Sequence, residues 1–269
     1  AYGGFTDLLL ENKKTGEAGV YQLYAGSETD WAWGDALTKV SEKMCAINEE
    51  IFGDAPELKL ANVFVQERIE GTRSCLMDLH RLCSFGHFKL EKHLLTVREM
   101  LSAIGEAHSA HNTMLLLRAK GVNAVFADLS GWREPEASSL DGRINKVFED
   151  IDLPNQLAIA TGYAQCSEGL MSIYGRGYSE VTFSRIAIRC DVAGISTRFT
   201  HQQGSRRMIP RFERTVGTKI ICTARHFFVF RPATRIMRNI GKEIEMPVMI
   251  ADTVAGKRDQ KPLRIRWLH

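Results

Sequence analysis

The sequence predicts an α/β protein with a central, mainly parallel β-sheet. Two short apolar segments, residues 122–128 and 157–163, have the composition of buried strands. Apolar residues at helical spacing precede these segments and separate them. This alternation of helices with buried strands is typical of parallel sheets that are covered by helices.

Long helices are predicted before the first strand. A Gly-Gly turn enters a helix within residues 1–10, and residues 31–52 and 56–84 carry apolar side chains at helical spacing. A further helix starts near Lys92 and is predicted to stop at Gly105. A new helix then starts past Glu106 and ends at Lys120-Gly121, since glycine commonly ends a helix.

The second half of the chain is predicted to continue the alternation. Asp141 is expected to cap a short helix that runs through Phe148, and a short hairpin is expected after the strand at 157–163. A glycine-containing loop at 175–180 then opens another helix. Residues 227–230, Phe-Phe-Val-Phe, form a later strand candidate.

Composition limits the classes of protein that the chain can represent. Its 269 residues are 44% apolar and 25% charged, as in ordinary globular proteins. No apolar run approaches the roughly 20 residues of a membrane span, and no secretory signal begins the chain. The six cysteines form no C-x-x-C pair, so we expect reduced thiols, a cytoplasmic location and no membrane partner.

Basic residues are concentrated at the C-terminal end. From Arg185 onward there are 18 Lys and Arg residues against 6 Asp and Glu residues, and 14 of the 18 are Arg. Such a tail can bind phosphates or nucleic acid, or it can form a solvated surface.

The loop at 175–180, Gly-Arg-Gly-Tyr-Ser-Glu, has the features of an anion site. Backbone N–H groups at a helix N-terminus attract anions, and Arg176 can pair bidentately with a carboxylate. Ser179 is also a candidate N-cap. The pair His108 and His111 is of a kind common by chance, and we predict no metal site from it.

Three segments together resemble the aspartokinases of the amino-acid kinase family. Residues 1–7, AYGGFTD, are similar to the family's S-A-x-x-G-x-T-[ND] strand end, and residues 104–109, IGEAHS, to its G-E-x-x-S helix segment. Tyr163 with the loop at 175–180 resembles its G-F-x-G strand end and G-R-G-G-S-D loop, with Glu180 in place of Asp. The resemblance covers residues 1–188 and is strongest to the aspartokinases tied to ectoine production.

The resemblance implies a three-layer α/β/α sandwich, the amino-acid kinase fold. Residues 1–188 would hold the amino-acid substrate, and the divergent basic tail, residues 189–269, would supply the nucleotide-binding part. The family's N-terminal K-x-G-G-T-S strand is expected before Ala1. A homo-oligomer is expected, as is a role in the biosynthesis of lysine, threonine or ectoine.

The implied reaction transfers the γ-phosphoryl group of ATP, with Mg²⁺, to the β-carboxylate of L-aspartate. A carboxylate is already ionised near neutral pH, since its pKa is about 4, so no general base is required. In the family, the residues matching Glu106 and Arg176 hold the α-ammonium and α-carboxylate groups. The resemblance implies these site residues: Thr6, Glu106, Tyr163, Arg176 and Ser179 for aspartate, Arg176 and Glu180 for catalysis, and Gly3, Gly4 and Gly177 for the phosphates.

Three other hypotheses remain open from the sequence. A related kinase on the same fold would act on glutamate, acetylglutamate or a nucleotide. A non-catalytic protein would bind nucleic acid through its arginine-rich tail. Residues 189–235 match no family segment, so they also fit a degenerate or out-of-frame stretch.

Overall fold

The chain forms two compact units, Ala1–Ala119 and Lys120–His269. The structure is a computed structural model that describes residues 5–12, 15–26, 31–136, 138–174 and 177–190 in full. It also describes the strand backbones at 197–199, 220–223 and 226–229.

The described part of the first unit is helical. Its elements are α1 (Phe5–Leu9), α2 (Val20–Gly26), α3 (Ala32–Phe52), α4 (Glu57–Ser84), a 3₁₀ turn (Leu90–Lys92) and α5 (Leu94–Ala119). Helix α3 packs against α4, and α4 packs against α5. Each helix contributes an apolar face to one core, as the helical spacing predicts. Representative buried residues are Phe5, Tyr24, Trp33, Leu37, Met44, Ile69, Leu76 and Leu101.

Helix α5 corrects one prediction. The sequence predicts a break at Gly105, but α5 continues through it to Ala119. The reason is packing: a Cβ atom placed on Gly105 would lie 3.3 Å from the Cβ of Phe5 on α1. Glycine therefore provides room for a neighbouring helix here, and Glu106 lies in the middle of a helix rather than in a first turn.

The second unit is built around a mixed sheet. Its described elements are β1 (Ala124–Ala127), α6 (Leu140–Phe148), β2 (Leu157–Thr161), α7 (Leu170–Tyr174), α8 (Tyr178–Arg189), β3 (Thr197–Phe199), β4 (Ile220–Thr223) and β5 (His226–Val229). The described strands lie in the order β1-β2-β4-β5-β3. Strands β1, β2 and β4 are parallel, whereas β5 pairs antiparallel with both β4 and β3.

These strands fit the predicted α/β class. Both predicted buried strands are confirmed as β1 and β2. Residues 227–229 of the candidate at 227–230 are confirmed as part of β5, and Phe230 lies outside the described residues. All five residues of β2 are buried, as expected for a central strand of a parallel sheet. Within the described ranges, no helix combines the length and apolar character that a membrane span requires.

Two local predictions about α6 and α7 are wrong. The segment after β2 contains the short helix α7 instead of a hairpin. Helix α6 is capped by Ser139, whose side chain accepts a hydrogen bond from the backbone N–H of Gly142 at 3.1 Å. Asp141 lies inside the first turn, and its carboxylate instead binds Arg189 at 2.8 Å and Arg185 at 3.6 Å. The guanidinium of Arg189 holds the pKa of Asp141 below its usual value.

Candidate functional site

In the first unit, α1, which carries Thr6, packs against α5, which carries Glu106. The neighbour of Thr6, Phe5, packs against Gly105, and its ring meets the ring of His108 edge-on with centroids 5.8 Å apart. Thr6 and Glu106 are both half-buried. Two predicted substrate residues therefore lie on helices that contact each other.

A buried network of polar side chains includes His108, whose ring contacts Phe5. His108 is 1% exposed, and its Nε2 atom lies 2.7 Å from the Oδ1 atom of Asn48. Asn112 donates to the same Asn48 oxygen at 2.6 Å, and Asn48 donates to Asn62 at 2.9 Å. Burial, followed by the neighbouring His111, lowers the pKa of His108 to about 3. His108 is therefore neutral at physiological pH and links α3 to α5.

In the second unit, Tyr163 lies two residues beyond the carboxyl end of β2. Its side chain is buried, and its ring meets that of Tyr178, in the first turn of α8, edge-on with centroids 5.9 Å apart. Its carbonyl accepts a hydrogen bond from the hydroxyl of Thr161 at 2.8 Å. The strand end and the start of α8 thus form one packed group.

The first turn of α8 carries the remaining described site residues. Gly177 is the N-cap, so the sequence prediction of Ser179 as N-cap is wrong, and Ser179 is buried inside the first turn. A Cβ atom added to Gly177 would meet no atom of the described residues within 4 Å. One carboxylate oxygen of Glu180 is buried and has no hydrogen-bond partner among the described residues.

The other predicted site residues, Gly3, Gly4 and Arg176, lie outside the described residues. Among all the residues that the structure describes, no group of three or more His, Cys, Asp and Glu side chains is arranged to hold a metal ion. His111 stacks on Phe64 with ring centroids 4.1 Å apart, and His108 belongs to the asparagine network.

Comparison with known proteins gives one curated relative. Over 187 residues, 70% of this chain, the sequence is 48% identical to the aspartate kinase Ask_Ect of Stutzerimonas stutzeri (strain A1501). This chain is aspartokinase-like. The resemblance to ectoine-associated aspartokinases that the motifs predict is confirmed. The aspartokinase-like chain spans 39% of the length of that relative.

The same match does not favour the alternative kinase or nucleic-acid-binding hypotheses for this aspartokinase-like chain. No protein-family model matches the chain, and no solved structure matches it.

One group of interacting residues in this aspartokinase-like chain was not predicted from the sequence. It is centred on Arg143. The apolar face of α6 is formed by Leu140, Ile144 and Phe148, and Arg143 is buried on the same face. An arginine on an apolar helix face is a signal that the sequence does contain. Its partners come from two loops, and only the folded chain brings those loops together.

Proposed function

We propose that this protein is an aspartate kinase that uses ATP to phosphorylate the β-carboxylate of L-aspartate, giving 4-phospho-L-aspartate. The observation that carries the proposal is the 48% identity over 187 residues to a protein named as an aspartate kinase. The proposal includes the amino-acid kinase fold, with its three-layer α/β/α sandwich. Residues 1–188 would hold the amino-acid substrate, and residues 189–269 would supply the nucleotide-binding part. The proposal also includes a homo-oligomeric, cytoplasmic enzyme of lysine, threonine or ectoine biosynthesis.

In the proposed site, charged side chains hold the two ends of the amino acid. Arg176 pairs with the α-carboxylate, because a planar guanidinium fits a carboxylate bidentately. Glu106 holds the α-ammonium, and its position in the middle of α5, beside the packed contact of Phe5 with Gly105, supports a fixed geometry for it. Thr6, Tyr163 and Ser179 complete the aspartate-binding set.

The proposed chemistry depends on alignment and on neutralising charge. The β-carboxylate attacks as an anion, so the protein has to hold two anions together while the phosphoryl group moves. Bound Mg²⁺ offsets the charge of the ATP phosphates. For the phosphates we propose the backbone at Gly3, Gly4 and Gly177, and the position of Gly177 at the N-terminus of α8 supports this, because helix N-termini attract anions.

Glu180 is proposed to act in catalysis with Arg176. Its buried carboxylate oxygen, with no partner among the described residues, supports a role toward a ligand, because a buried anionic oxygen without a partner is costly.

The reaction is tested by a hydroxamate assay on the purified chain with MgATP and L-aspartate. We expect product that requires both aspartate and ATP, because hydroxylamine traps the acyl phosphate. Glutamate and N-acetylglutamate serve as matched controls. Equal or greater product with either control acid would reject aspartate as the substrate.

Substitutions of the two charged residues test the binding site directly. We expect Arg176→Ala and Glu106→Gln each to weaken L-aspartate binding on the order of 100-fold, because each removes a charged partner of the amino acid. Isothermal titration calorimetry with L-aspartate measures the change. Arg185→Ala is the control, since Arg185 is an exposed residue on α8 paired with Asp141. Unchanged binding in Arg176→Ala would show that this residue does not hold the substrate.

A further inference from the structure

Arg143 is a buried cation whose hydrogen bonds join two loops. Its side chain is 1% exposed. The Nε atom donates to the backbone carbonyl of Gln165 at 3.1 Å, and Nη2 donates to the Gln165 side-chain oxygen at 2.5 Å. Nη2 also donates to the carbonyl of Glu136 at 3.4 Å, and Nη1 lies 3.6 Å from the carboxylate of Glu134.

These partners belong to the segments that follow β1 and β2. We call residues 128–136 the β1 loop and residues 162–169 the β2 loop. Because β1 and β2 are adjacent and parallel, both loops start from the same edge of the sheet. Ligands of open α/β sheets bind outside the carboxyl ends of the strands, which is the edge where these loops lie.

The two loops also touch directly beside Arg143. The backbone N–H of Gln165 donates to the carbonyl of Leu129 at 2.9 Å, and the N–H of Leu129 donates to the hydroxyl of Thr161 at 3.1 Å. Gly131 has a φ of +71°, and a Cβ atom there would lie 2.7 Å from the Cβ of Gln165. The contact between the two loops therefore requires glycine at position 131, because a side chain there would collide with Gln165.

A charged residue suits this position because its charge is balanced locally. Glu134 lies beside Arg143 and also binds Lys146 at 2.6 Å. The hydrogen bond from Lys146, with the nearby charge of Arg143, keeps the pKa of Glu134 below its usual value. The planar guanidinium reaches two oxygens of Gln165 at once, which the single ammonium of lysine does less well.

We propose that Arg143 is a positioning residue that locks the β1 and β2 loops together and thereby places Tyr163 for substrate binding. Tyr163 lies in the β2 loop, two residues before Gln165, and packs against Tyr178 at the start of α8. The part of this inference that concerns substrate rests on the proposed aspartate kinase function. The locking of the loops does not depend on it.

The test compares Arg143→Met with Arg143→Lys and with the control Arg185→Met on the whole chain. Arg185 is a half-exposed arginine of the same unit. Hydrogen–deuterium exchange is followed in peptides from both loops, and the Kd for L-aspartate is measured by calorimetry on folded protein. We expect Arg143→Met to raise exchange in both loops roughly tenfold and to weaken aspartate binding by a similar factor. Arg143→Lys should recover part of both effects, and Arg185→Met should show neither.

Each outcome decides one part of the proposal. Unchanged exchange in the loops, or a rise of equal size in β2 and α8, would overturn the locking role. A rise confined to the loops with an unchanged Kd for aspartate would overturn the placing of Tyr163. If the unsubstituted chain binds no aspartate, the proposed function fails and exchange alone decides the locking. If Arg143→Met does not fold, Gln165→Ala removes the 2.5 Å contact and is judged by the same two measurements.

Discussion

Replacing Phe183 with alanine is expected to lower the free energy of unfolding of the protein by about 3–5 kcal/mol. Phe183 is 1% exposed and lies in the core that α8 shares with α6 and the sheet. Removing its ring leaves a cavity that the surrounding side chains fill only in part, so the loss exceeds the transfer free energy of the ring. Urea unfolding followed by far-ultraviolet circular dichroism measures the change.

Ile188→Ala is the matched control for this prediction. Ile188 lies on the same helix but is 73% exposed, so its truncation should change the free energy of unfolding by less than about 0.5 kcal/mol. The first turn of α8 carries Ser179 and Glu180, which we propose as site residues. If that proposal holds, Phe183→Ala should also weaken substrate binding, because it removes the side chain that packs α8 into the core. Equal stability losses in the two variants would show that α8 does not dock through Phe183.

Acidification is expected to destabilise the protein through His108. The folded-state pKa of His108 is about 3, against a usual value of 6.5, chiefly because the side chain is buried. Below pH 6.5 the unfolded chain binds a proton that the folded chain does not, so stability falls as pH falls and continues to fall until about pH 3. The slope is about 1.4 kcal/mol per pH unit, which gives a loss of about 3 kcal/mol at pH 4.

The His108→Gln variant isolates this effect from the titration of the carboxylates. Glutamine stays neutral at every pH and can still bond to Asn48, so the variant should lack the histidine contribution. Urea unfolding of both proteins from pH 7 to pH 4 gives the difference in stability at each pH. A difference that does not change with pH would show that His108 is protonated as readily in the folded chain as in the unfolded chain.

Helix α5 shows which structural features sequence patterns predict and which they do not. The apolar spacing on both sides of Gly105 is helical, and the sequence correctly predicts helix in both stretches. The break placed at Gly105 is wrong because glycine has two uses. It ends helices when it adopts a positive φ, and it also provides room for close packing. Only the position of Phe5, 100 residues earlier in the chain, decides which use applies here.

The same distinction applies to the polar residues. His108 and His111 are two histidines three residues apart, a spacing common by chance, and the sequence does not show that the partners of His108 are asparagines from α3 and from its own helix. Arg143 stands out on an apolar helix face, but its hydrogen-bond partners lie in loops at 134–136 and 165. Local patterns identify such residues as unusual without identifying what they bind.

The class of fold, the buried strands β1 and β2 and the aspartokinase-like motifs could be predicted without a structure, because periodicity, composition and short motifs are local properties of the chain. The continuity of α5, the neutral state of His108 and the joining of the β1 and β2 loops by Arg143 could be seen only in the folded chain. Each of these depends on contacts between residues far apart in the chain. Burial and hydrogen bonding arise only when such residues meet, and no local pattern records them.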